Sequence, residues 1–248
     1  LRKLYLSNMG IVSIDQFNLS KIKNLVYLNI SLNQIKSIQI QLFLLYLETL
    51  DISNNQIEFF EENVFSRLFV LHYLNLENNR LKIFQIDSFN LMEKFILRNN
   101  LVLKEIKVGI TVDTKGSIMH LVREIDFSGN SIEDIRLDSI IRIDDHLERL
   151  LLNENKIRQI DRYFLITLNK LKYLSLYSNQ ISLIDGSVFS SLDQLEYINL
   201  ANNLIKSLDE RTFSNLFHLK YLNLASNQIE FINASLFSQL FNLNYLDL

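Results

Sequence analysis

The chain of 248 residues contains no cysteine and no proline, and only five glycines. Without cysteine there is no disulfide, no thiolate metal site and no cysteine nucleophile, and composition leaves the redox compartment open. Without proline, and with so little glycine, no flexible linker interrupts the chain and no domain boundary shows. Charge of one sign is also lacking. The formal net charge is −3 at pH 7, so bulk charge points to neither nucleic acid nor a membrane surface. No apolar run approaches the roughly 18 residues needed to cross a bilayer; LFLLYL, residues 42–47, is among the longest. The opening LRKLYLSN has no signal-peptide pattern. There is no phosphate-cradling glycine loop and no nucleophile–base motif, so no enzyme and no cofactor are expected.

Asparagine, by contrast, occupies 28 positions, and its placement is regular. LKYLSLYSNQI (171–181), LEYINLANNLI (195–205) and LKYLNLASNQI (219–229) follow one another at a period of 24 residues. The frame extends along the whole chain as ten full units and the start of an eleventh, beginning at Leu1, Leu25, Leu47, Leu71, Met92, Val122, Leu147, Leu171, Leu195, Leu219 and Leu243. Most units follow LxxLxLxxNxIxxI, then a Phe and a Leu. Such a period takes precedence over any other reading of fold.

In LxLxx, residues alternate inward and outward as a strand requires. Leu174 and Leu176 are expected in a core, with Tyr173, Ser175 and Tyr177 outward. One short strand is unstable alone; stacked on neighbours at about 4.8 Å, the strands form a continuous parallel sheet. Asn33, Asn55, Asn79, Asn100, Asn130, Asn155, Asn179, Asn203 and Asn227 stand at the ninth position. An amide both donates and accepts, so these side chains are expected to satisfy the backbone where it leaves the strand, as a buried structural ladder. Met9 interrupts the ladder in the first unit, where a looser end is expected. Phe43, Phe65, Phe89, Phe189, Phe213 and Phe237 recur eighteen residues after their unit starts and predict a second stacked column. Strands on one side and bulkier return segments on the other predict a solenoid with the sheet on the concave face.

On these residues the chain resembles the "typical" 24-residue subfamily of leucine-rich repeat proteins, found in Toll-like receptor ectodomains, Slit-like ligands and related secreted or cell-surface proteins. The resemblance spans essentially all 248 residues. It implies an α/β horseshoe, with a parallel β-sheet on the concave face and short helical or extended segments on the convex face. It also implies a single array over residues 1–248, a non-catalytic protein-binding role, and extracellular, membrane-linked members in signalling and innate immunity. Members usually carry cysteine-containing caps outside the array. None stands here, so a piece of a longer chain is expected.

The period is not exact: the unit at Leu25 is 22 residues long and that at Leu71 is 21, ordinary shortenings of the return segment. The unit at Met92 is 30 residues long, and its excess falls near 103–120, with Gly109 and Gly116. A protruding binding loop and neutral drift in a tolerant segment both account for it. His146 in IDDHLE (143–148) lacks a second ligand cluster, and of the four histidines only His72 falls on a concave position, so no metal site is expected. Sequons occur at Asn18, Asn29 and Asn233. With 28 asparagines and 28 serines plus threonines in 248 residues, about three arise by chance, so they assign no compartment.

Outward positions on the strands are where a ligand would land. Tyr173, Tyr197, Tyr221 and Tyr245 stand at the third position of consecutive units, beside Lys172, Glu196 and Lys220 at the second and Ser175, Asn199, Asn223 and Asp247 at the fifth. Rigid aromatics among small polar groups have the composition of a binding surface; tyrosine also favours strands, and its rings can pair across them without any ligand. Glu93, Lys94, Arg98, Arg123, Glu124, Asp126, Glu148, Arg149 and Glu154 form a mixed-charge patch, which either steers a partner or compensates itself in solvent. The candidate ligand-binding set is therefore Tyr173, Tyr197, Tyr221, Tyr245, Lys172, Glu196, Lys220, Arg98, Arg123 and Arg149. The expected partner is a protein, glycosylated or not, with no nucleic acid and with a membrane only through segments outside these residues. An extracellular or cell-surface recognition protein leads; an intracellular scaffold or regulatory subunit in the cytoplasm is the alternative, and an adhesive role a third.

Overall fold

The computed structural model describes the chain except residues 15, 16, 18, 39–43, 62, 63, 66, 87–90, 104, 109–120 and 134–145. The residues fall into two compact units, 1–122 and 123–248. In each, the alternating leucines set the architecture. A strand begins two residues after every unit start read from the sequence, and its middle residue turns inward.

The first unit holds β1 (Lys3–Tyr5), β2 (Tyr27–Asn29), β3 (Ser37–Ile38), β4 (Thr49–Asp51), β5 (Phe59–Phe60), β6 (Tyr73–Asn75), β7 (Ile83–Ile86), β8 (Lys94–Ile96) and β9 (Glu105–Val108). Strands β1, β2, β4, β6 and β8 pair in parallel in that order. The pairs β3–β5 and β7–β9 are also parallel and lie in the return segments. β9 stands at nearly the same place in the Met92 unit as β7 in the unit before it, so it belongs to the ordinary return segment; Gly109 and Gly116 lie outside the described residues. The second unit holds β10 (Glu124–Asp126), β11 (Arg149–Leu151), β12 (Tyr173–Ser175), β13 (Tyr197–Asn199), β14 (Tyr221–Asn223) and β15 (Tyr245–Asp247), parallel in sequence order. Its return segments include one short helix, α1 (Arg162–Leu165), and a 3-10 turn at Ala234–Phe237. The solenoid expected from the period is therefore present, with a parallel sheet in each unit.

Leu28, Leu50, Leu74, Leu174, Ile198 and Leu222, the middle residues of their strands, are fully buried. Burying such a side chain contributes about 1.5–3 kcal/mol. The ladder asparagines carry the polar part of the fold. Asn55 Oδ1 accepts from the Ile35 amide at 3.0 Å, while Nδ2 donates to the carbonyls of Ile30, Ile52 and Ser53, each at 3.1 Å. One amide thus closes its own turn and bonds to the preceding repeat. Asn79, Asn155, Asn179, Asn203 and Asn227 repeat the pattern. At the first unit, Asn33 accepts from the amides of both Met9 and Ile11 at 3.0 Å. The bond to Ile11 is the ordinary one of the ladder, that to Met9 is additional, and the Met9 side chain turns out to solvent.

The residue before each ladder asparagine, and Asn8 before Met9, adopts a left-handed conformation: Asn8, Leu32, Asn54, Asn78, Asn99, Gly129, Glu154, Ser178, Asn202 and Ser226 all have φ between 54° and 67°. Asparagine and glycine tolerate this region; Leu32 and Glu154 adopt it against their preference because the strand must end there.

The phenylalanine column is present where it is described. Phe189 and Phe213 are buried, with ring centroids 6.0 Å apart and planes at 11°. Phe65 is buried in a cluster with Phe60 and Phe84, and Phe237 is half-buried. Phe43 and Phe89 lie outside the described residues. Phe164, one residue earlier in its unit, is also buried, because α1 turns both it and Leu165 inward.

Candidate functional site

In a parallel sheet paired in register, residues 24 apart form columns across the strands. Arg149, Tyr173, Tyr197, Tyr221 and Tyr245 are successive Cα partners. The four rings stack: centroids are 4.0, 4.3 and 4.3 Å apart, with interplanar angles of 8°, 9° and 2°. The rings thus lean together more closely than the strands, whose spacing is about 4.8 Å. The Arg149 guanidinium carbon lies 4.0 Å over the Tyr173 ring and covers that end of the file. From Arg149 to Tyr245 the facing ring surfaces are consumed within the stack, so that stretch offers solvent its ring edges.

A charged column runs beside it. At the second position Arg123, Glu148, Lys172, Glu196 and Lys220 alternate in sign from repeat to repeat. Lys172 Nζ lies 3.1 Å from Glu148 Oε2, Arg123 Nη1 3.8 Å from Glu148 Oε1, and Lys220 Nζ 2.8 Å from Glu196 Oε2. The Lys220 ammonium, by donating to the Glu196 carboxylate, lowers its pKa. Arg149 Nε also faces Glu124 Oε2 at 3.6 Å. Solvated pairs of this kind contribute little stability. The signal was in the sequence as opposite signs at one repeat position.

Not every expected residue reaches the surface. Ser175 lies on the strand side of the tyrosines but is 2% exposed, enclosed between its register partners Leu151 and Asn199. Asn199 and Asn223 use their Oδ1 atoms to accept from the amides of Ala201 and Ala225 at 3.0 and 2.9 Å. These two cap the strand ends, as Asp51, Asn75 and Asp126 do at the same position. Asp247 instead accepts from the Tyr245 hydroxyl at 3.2 Å. Arg98 is exposed just after β8 in the first unit, whereas the other nine candidates belong to the second.

Burial, followed by the neighbouring Tyr173 hydroxyl, raises the Tyr197 pKa above its ordinary value of 10.0. The Asp247 carboxylate raises that of Tyr245. A phenol whose folded pKa is raised contributes stability that is complete below pH 10 or so and is lost as pH rises further. Melting temperature followed from pH 9 to 11.5 should therefore fall more steeply in the native chain than in Tyr197→Phe. Parallel curves would show that Tyr197 ionises as freely folded as unfolded.

A family profile described as leucine rich repeat matches residues 145–205 and 195–248, and a second of the same description matches residues 46–68. Among curated proteins nothing matches. Of solved structures, the Toll chain of the Toll–Spatzle complex from Drosophila superimposes with a TM-score of 0.85 at 19% identity, covering 100% of this chain and 33% of its own. The LRIM1/APL1C complex gives 0.83 at 23% identity, covering 99% of this chain and 43% of the other. The functional domain of InlJ from Listeria monocytogenes gives 0.72 at 24%, covering 100% and 48%. The chain spans between a third and a half of the length of these structures, and at such identities the likeness is one of fold. With the two profiles together covering just over half of the residues, the chain belongs to the leucine-rich repeat proteins.

Proposed function

We propose that the chain is a non-catalytic protein-binding module of an extracellular or cell-surface recognition protein, with its ligand held on the strand face of the second unit. The observation that carries this reading is the file of Tyr173, Tyr197, Tyr221 and Tyr245, four rings locked in one orientation before any ligand arrives. Preorganised aromatics contribute binding area at little entropic cost. Ring edges carry the positive end of the quadrupole, so the file favours a partner surface rich in carbonyl or carboxylate oxygens. Lys172, Glu196 and Lys220, with Arg123 and Arg149, form the charged margin that orients it. Arg98, on the first unit, is a separate candidate contact. Support for protein ligands comes from the similar folds of Toll, solved with Spatzle, and LRIM1, solved with APL1C.

The test is a screen of the tetramerised chain against an array of secreted proteins and receptor ectodomains, repeated with Tyr197→Ala/Tyr221→Ala. If the file holds the hot spots, the double variant should weaken binding by at least ~2 kcal/mol, about 30-fold. Phe231→Ser, on an exposed return-segment position, should leave it unchanged. A partner whose affinity ignores the tyrosines removes them from the site. Antibody staining of intact against permeabilised cells checks the compartment separately.

A further inference from the structure

The return segments of the second unit carry another column. Asp161, Asp185, Asp209 and Asn233 recur every 24 residues, and each accepts, through Oδ1, from the amide two residues on, at 2.7, 2.8, 2.8 and 3.0 Å. Aspartate and asparagine cap a turn about equally well, so the single asparagine is not required by the fold. It is followed by Ala234 and Ser235, completing a sequon.

We infer that Asn233 is an attachment site for an N-linked glycan and that Asn29, which has an equally good sequon, is not. The two differ in how the structure holds them. Asn29 lies at the end of β2, paired on one side with Tyr5 and on the other with Asp51. Its Oδ1 accepts from both the amide and the hydroxyl of Ser31, at 2.9 and 2.8 Å, and Ser31 is 7% exposed. The hydroxyl that a transferase must engage is thus consumed inside the sequon. Asn233 and Ser235 are both exposed, and among the described residues only the backbone of Ser235 is engaged: its amide by Asn233, and its carbonyl by the Ser238 hydroxyl at 2.7 Å and the Ser238 amide at 3.1 Å. The bond to Asn233 Oδ1 polarises the carboxamide and leaves Nδ2 outward. In the transfer, Nδ2 forms a bond to the anomeric carbon of a lipid-pyrophosphate-activated oligosaccharide. The carbon–oxygen bond to the pyrophosphate breaks, one amide proton is lost, and no atom changes oxidation state. Because Asn233 lies on a return segment, a glycan there leaves the tyrosine file uncovered.

Use of the site rests on the export proposed above, so the experiment supplies export itself. The full chain is expressed behind a cleavable signal in a eukaryotic secretory host. The secreted protein is deglycosylated with peptide-N-glycosidase in heavy-oxygen water and mapped by mass spectrometry. Label is expected at position 233 and not at position 29. Asn233→Asp, which keeps the cap in the form used at 161, 185 and 209, should abolish it, while Ser235→Thr should retain it. Unlabelled Asn233 in the secreted native chain, or label on Asn29, overturns the inference; neither outcome touches the binding role of the tyrosines.

Discussion

Asn203→Leu should destabilise the chain by about 3–5 kcal/mol, measured from the midpoint of urea unfolding. Asn203 is 5% exposed and makes four bonds. Its Oδ1 accepts from Ile181 N at 3.0 Å, and Nδ2 donates to the carbonyls of Leu176, Leu200 and Ala201 at 3.0, 3.0 and 3.3 Å. Leucine fills the volume but leaves a buried amide without an acceptor and removes a donor from three carbonyls, on both sides of one repeat interface. Asn203→Asp should be comparably destabilising at neutral pH, because its carboxylate keeps the Ile181 bond but faces three carbonyl oxygens. Those oxygens raise the folded pKa of the new carboxyl, so the deficit of this variant should shrink as pH falls and the group becomes protonated. A loss below ~1 kcal/mol for the leucine variant would mean that water replaces the amide and that the ladder is not a main source of cohesion.

Phe213→Ala should have a loss of similar size, about 3–5 kcal/mol, by a different route. The ring is fully buried and packs on Phe189. Its removal opens a cavity between return segments and orphans no polar group. Phe213→Leu, which nearly conserves volume, should therefore cost less than ~1.5 kcal/mol, whereas no apolar substitution restores Asn203. Because each repeat leans only on its neighbours, hydrogen exchange in Phe213→Ala should accelerate first at β13 and β14 and leave β10 near its native rate. Uniform acceleration along the second unit would show a cooperative block rather than a chain of nearest-neighbour couplings.

Strands, inward leucines and the asparagine ladder were all legible in the sequence for one reason. Each depends on a local pattern repeated at a fixed interval, and parallel pairing turns interval into column. The same logic predicted that Tyr173, Tyr197, Tyr221 and Tyr245 would form a file. It did not reach how a column shares its contacts. Ring-on-ring closure, the guanidinium of Arg149 over Tyr173 and the enclosure of Ser175 depend on side-chain volumes of neighbouring strands, which periodicity does not encode. Nor could the roles of Asn199 and Asn223 be read from their outward positions, since whether Oδ1 faces solvent or the amide two residues on is a matter of backbone direction at the strand end. The left-handed turn at Leu32 and Glu154 lies further still from local preference: those residue types argue against it, and the packed repeats on either side impose it. The sequence by itself determined the repeat, the inward faces and the ladder, because these follow from spacing alone. Only the tertiary structure decided which outward groups keep their contact with solvent, because that depends on what each column's neighbours have already taken up.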